Sequence, residues 1–125
     1  MYGIQSMIVI TLPDGTLVKG VIYKSWSPFN YGKIIESLPL RTRVYHIDND
    51  IIYFPFQTTF KPEKSVDKIK KGNILIIPYL ASLGVSLTTI KTPRYKVSIA
   101  GEITENFEAL KSLARDGVVT IKKGE

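Results

Sequence analysis

The stretch RTRVYHIDNDIIYFPF, Arg41 to Phe56, decides the fold class of this chain. It is crowded with Val, Ile, Tyr and Phe, side chains that suit a pleated, half-buried surface. Asp48-Asn49-Asp50 interrupts it with residues that hydrogen-bond their own backbone in turns. The stretch therefore reads as two strands, Leu40 to Asp48 and Ile51 to Phe56, folded back as a hairpin. It also carries His46, the one histidine of a chain without cysteine. That scarcity removes most residue-borne chemistry. A Cys nucleophile is excluded, a metal site would need carboxylates around a single imidazole, and no Ser/His/Asp set or glycine-rich phosphate loop is present.

Outward from this hairpin, the preceding segment reads as another. Ile4 to Leu12 and Thr16 to Tyr23 are β-branched and alternating, and Pro13-Asp14-Gly15 supplies the turn, with Asp14-Gly15 as a pair tolerant of positive φ. Ser27-Pro28 reads as a helix start, Ile34, Ile35 and Leu38 as its apolar stripe, and Pro39 as its stop. On the C-terminal side, Gln57 to Asn73 is a polar, lysine-rich surface excursion. Ile74 to Tyr79 is a continuous apolar run, expected as a strand buried on both faces, and Val85 to Ile90 is expected as the next strand after Ala81-Ser82-Leu83-Gly84. Thr92-Pro93-Arg94 breaks the chain before a strand from Tyr95 to Ile103. Thr104 is placed to cap a helix with Phe107, Leu110 and Leu113 on one stripe, and Val118 to Lys122 forms the last strand. About eight strands with two short helices predict a mainly β fold, a closed or nearly closed barrel whose helices plug its ends.

The chain has 125 residues, of which 44% are hydrophobic and 22% charged. These are ordinary values for one globular domain spanning 1–125, with no transmembrane segment. The first ten residues lack the basic and long apolar regions of a secretory signal, so a cytoplasmic location is expected. Isoleucine and lysine are abundant while Cys, Gln and His are scarce, a bias shared by thermophile proteins and A/T-rich genomes. The net charge of +6 raises nucleic acid as a partner, but the basic residues are scattered, and the densest cluster, Lys61 to Lys71, is interleaved with Glu63 and Asp67. Nucleic acid is therefore disfavoured. Asp48, Asn49 and Asp50 lack the downstream glycine and glutamate of a calcium loop and read as a turn. Trp26 reads as a staple between the first helix and the barrel in preference to a stacking platform for a ligand.

The order of these elements resembles the cyclophilins, and more closely the small cyclophilin-like barrel proteins of bacteria and archaea. The resemblance spans nearly the whole chain. It rests on the hairpin followed by a helix, on Tyr45-His46-Ile47 with its paired strand Ile51 to Phe56, on Gly72-Asn73-Ile74-Leu75, and on Ile99-Ala100-Gly101-Glu102-Ile103 leading into Phe107-Glu108-Ala109-Leu110. Cyclophilins rotate X-Pro bonds, and the resemblance implies where their machinery would fall. The arginine of their Phe-His-Arg triplet aligns with Ile47, a ligand-facing glutamine falls near Pro55, and a histidine falls near Val97. None of these three residues is a donor. Arg41 or Arg43 is the remaining guanidinium near that site, with Arg43 sharing a face with Tyr45 if the register holds.

The leading expectation is thus a cyclophilin-like barrel without the usual isomerase residues, binding a small molecule or an extended peptide on the corresponding face. The candidate ligand contacts are Tyr45, Tyr53, Phe56 and Tyr79, with Arg43 or Arg94 as an anionic anchor. Tyr45, Tyr53 and Phe56 read equally well as plain barrel core. The alternatives are a weak or substrate-restricted peptidyl-prolyl isomerase, and an interaction module using the Gln57 to Asn73 excursion. No cofactor is implied, the catalytic residues stay unassigned, and no membrane partner is expected. Self-association is compatible with apolar aromatics at a barrel rim, although no heptad or edge signal fixes it.

Overall fold

The computed structural model describes residues 3–91, 93, 96–113 and 117–124. The strands are β1 (Gln5–Thr11), β2 (Leu17–Tyr23), β3 (Leu40–Arg43), β4 (Tyr45–Ile47), β5 (Ile51–Pro55), β6 (Asn73–Ile77), β7 (Ser82–Ser86), β8 (Ser98–Glu105) and β9 (Val118–Lys123). The helices are α1 (Tyr31–Glu36) and α2 (Phe107–Lys111). All strands join one antiparallel sheet in the order β3-β9-β1-β2-β8-β6-β7-β5-β4.

The ends of that order are β3 and β4, which are neighbours in sequence separated by Val44 alone. The bent segment pairs with β9 through its first half and with β5 through its second, so it closes the sheet on itself. At the bend the Val44 N–H donates to the Gly117 carbonyl at 2.9 Å. Across the seam Thr42 Oγ1 donates to the Pro55 carbonyl at 2.8 Å. The expected barrel is therefore present, closed by the hairpin segment that suggested it.

Strand alternation divides the apolar residues into two clusters. Ile52 and Phe54 of β5 and Ile74 and Ile76 of β6 point inward, where Ile34 of α1 and Leu110 of α2 join them, so both helices pack onto the interior core. Ile51, Leu75 and Ile77 point outward into a second cluster with Ile69 and Val97. Every residue of β6 is buried, as a strand covered on both faces requires. Among the described residues no helix is long and apolar enough to cross a membrane.

Local chemistry moves several boundaries from their expected places. The first turn is a three-residue connection: the Gly15 N–H donates to the Leu12 carbonyl at 2.9 Å and only Gly15, at φ 90°, takes the left-handed region. Pro13 presets the turn and Gly15 forms the bulge that matches it to the strand twist. α1 starts at Tyr31, because the side chains of Ser27 and Asn30 are committed elsewhere, to the Ile99 carbonyl and to the excursion. The strand expected from Val85 to Ile90 lies instead at Ser82–Ser86. The chain has already reversed in a 3-10 turn at Pro78–Leu80, with Ala81 left-handed at φ 49°. β8 continues through Thr104, and the α2 N-cap is Asn106, whose Nδ2 donates to the Leu17 carbonyl at 2.8 Å.

The segment expected as a plain polar excursion is tied down. Phe60 is buried against Phe56 with ring centroids 5.5 Å apart, and Val66 and Ile69 pack on the outer cluster. Buried Asn30 donates through Nδ2 to the Lys61 carbonyl and to Glu63 Oε2, both at 2.8 Å, and its Oδ1 accepts the Lys61 N–H at 2.8 Å. The lysines of this segment stand in solvent while its apolar side chains cover the barrel wall.

Candidate functional site

The face that the cyclophilin resemblance marks is the outer side of β4, β5 and β7. Tyr45 and Tyr53 are cross-strand partners there, stacked with centroids 5.5 Å apart, and Tyr45 is 38% exposed. Beside them the wall is apolar and already occupied. Ile47 packs into the outer cluster, Val97 is buried in it, and Ile69 lies fully buried on top. Ile69 and Ile90 form an isolated two-residue bridge, with N–H···O distances of 2.8 and 2.9 Å, and the Val66 N–H donates to the Val97 carbonyl at 3.2 Å. The chain thus covers this face with its own side chains.

The expected contact residues do not form one group. Tyr45 and Tyr53 meet, but Phe56 belongs to the interior core, and Tyr79, 81% exposed, stands on the turn between β6 and β7. Arg43 is exposed on β3, across buried Val44 from Tyr45, and Arg94 lies outside the described residues. His46 faces the opposite way from Tyr45, opposite Ile52, and its Nδ1 is buried with no hydrogen-bond partner among the described residues. Among the described residues no three His, Cys, Asp or Glu side chains gather as a metal cluster would need.

A separate opening lies next to the filled face. A groove of about 510 Å³ runs between the excursion and the outer side of β6 and β8. Trp26, Val66 and Ile99 supply its apolar surface, Asn73 a polar contact, and Lys64, Lys68 and Lys70 its charge. Trp26 is 45% exposed and rests on Tyr23, with ring centroids 4.5 Å apart. Tyr23 is itself fixed, because its hydroxyl donates to Glu102 Oε2 at 2.7 Å. That bond to the carboxylate pushes the phenol above its ordinary pKa. The tryptophan is therefore an exposed, supported platform in place of the expected staple.

Composition does not single these lysines out, because a polar, lysine-rich run reads as solvated surface. A signal was present in their spacing: Lys64, Val66, Lys68 and Lys70 are alternate residues, which an extended backbone presents on one side.

No protein-family model matches the chain, and no curated protein matches it in sequence. Solved structures do. A hypothetical protein from Archaeoglobus fulgidus superposes with a TM-score of 0.81 at 21% identity, covering 98% of each chain. A cyclophilin-type peptidyl-prolyl cis-trans isomerase from Cryptosporidium parvum superposes with a TM-score of 0.68 at 13% identity, covering 98% of this chain and 99% of that one. Likeness at such identity speaks to architecture: the bent-strand barrel of this chain has the cyclophilin-like fold.

Proposed function

We propose that this chain is a cyclophilin-like binding barrel for a small molecule and does not accelerate prolyl isomerisation. The observation that carries the reading is the filled outer face, where Ile47 and Val97 stand at the positions that the resemblance assigns to donors and Ile69 covers the wall between them. The barrier to rotation about a peptide bond is about 18–20 kcal/mol. Lowering it without covalent chemistry needs a preorganised charge or hydrogen-bond donor aimed at the twisting amide, and one such donor is typically worth about 10²–10³ in rate. An aliphatic side chain supplies neither. A small ligand in place of an extended peptide is supported by the groove beside Trp26, whose volume lies in the usual range for small-molecule sites.

A protease-coupled assay on X-Pro peptides tests the catalytic half of the reading. No acceleration is expected at micromolar protein. Acceleration that Arg43→Ala abolishes would replace the binding barrel with a restricted isomerase using the exposed guanidinium of β3.

A further inference from the structure

Resting on the binding-barrel reading, we infer that the Trp26 groove takes a small organic anion, its flat apolar body on Trp26 and its phosphate, sulfonate or carboxylate between Lys64, Lys68 and Lys70. Charge is the first reason. Lys68 and Lys70 are alternate residues, about 7 Å apart along an extended chain and within a Debye length of about 8 Å, and Lys64 lines the same groove. They repel one another, and a bound anion relieves that repulsion.

These lysines have no carboxylate partner among the described residues. Lys19, Lys71 and Lys111 have carboxylate partners in Glu105 and Glu108, whereas no ion pair among the described residues holds Lys64, Lys68 or Lys70. The nearby acids are committed elsewhere. Glu63 accepts from the Phe29 N–H and from Asn30, Glu102 accepts from Tyr23, and exposed Asp67 is not among the residues that line the groove. Glu102 is opposite Asn73 in the β6–β8 ladder, while the charged side chains that line the groove are all lysines.

Shape and surface supply the remaining specificity. An indole held half-exposed on a supporting tyrosine offers a rigid face for a ring, and Val66 and Ile99 extend the apolar floor. At about 510 Å³ the groove is a single compartment of small-molecule size. It is not the continuous basic track with repeated aromatic platforms that a nucleic-acid strand needs.

The chain has one tryptophan, so a single indole N–H cross-peak in a ¹H–¹⁵N correlation spectrum reports on this groove. Three probes divide the chemistry: 1-naphthyl phosphate, 1-naphthol and inorganic phosphate. The phosphate ester is expected to move the indole peak saturably, with at least tenfold weaker binding of the naphthol, a gap of about 1.4 kcal/mol, and no shift from inorganic phosphate at the same concentrations. The triple variant Lys64→Ala, Lys68→Ala, Lys70→Ala, checked for an unchanged melting temperature, is expected to lose tenfold or more for the ester and nothing for the naphthol. Equal binding of ester and naphthol, or an unmoved indole at millimolar ester, overturns the assignment. Saturable shifts confined to Tyr45 and Tyr53 also overturn it, while leaving the binding-barrel reading in place. Isomerase activity would remove that reading and leave the groove result untouched.

Discussion

Ile69 and Ile90 exchange backbone hydrogen bonds at 2.8 and 2.9 Å, and this two-residue bridge stitches the excursion to the segment after β7 directly over the barrel's outer face. The side chain of Ile69 is completely buried by that arrangement. The outer side of the barrel wall is thereby covered as a second hydrophobic core.

Ile69→Ala is expected to destabilise the protein by about 2–4 kcal/mol, through the lost transfer free energy and the cavity left beneath the bridge. Urea unfolding of the variant measures it. A loss under about 0.5 kcal/mol, typical of a surface site, would show that the outer cluster is not a packed layer.

Asn30 ties α1 to the excursion with three hydrogen bonds while fully buried. Asn30→Ala leaves the Lys61 N–H and carbonyl without their partner, and the expected cost is about 2–4 kcal/mol, from unmade bonds at about 1–3 kcal/mol per stranded group. Amide exchange should rise from Lys61 onward more than in β1 or β6. Uniform exchange would show that the segment is held by its apolar side chains alone.

Gly101 marks the closest approach of β8 to β2. A Cβ built there would stand 1.9 Å from the Val21 carbonyl oxygen. Gly101→Ala must push two central strands apart, so its cost is expected to exceed about 4 kcal/mol, beyond ordinary substitutions. Recovery of the variant as folded protein with a native-like melting temperature would contradict this packing.

The Tyr23–Glu102 hydrogen bond links folding stability to alkaline pH. The bond to Glu102 raises the Tyr23 pKa above its ordinary value. A raised folded-state pKa means that the contribution is fully present below the unfolded tyrosine value of about 10 and is lost as pH rises through the folded value. The wild type should therefore lose stability relative to Tyr23→Phe only above about pH 10. Parallel alkaline unfolding curves for the two proteins would show that the bond does not survive in solution.

Strand alternation around Tyr45-His46-Ile47 and Ile51 to Phe56, the fully apolar Ile74–Ile77 and the Pro13-Asp14-Gly15 turn were legible because each depends on neighbours in sequence. The barrel class follows from them. The position of β7 was not legible. Ala81 adopts a left-handed conformation that its type does not advertise, and Gly84 sits mid-strand opposite Tyr53.

The site was the least legible part. Whether Trp26 staples a helix or faces solvent depends on Tyr23 beneath it and on the excursion beside it, and Lys64, Lys68 and Lys70 become a group only when that excursion is pinned by Asn30 and Ile69. Periodicity told which residues share one side of a strand, since backbone geometry alone sets that. Which surface stayed open and which was covered was decided by contacts between segments distant in the chain, and local pattern carries no record of those.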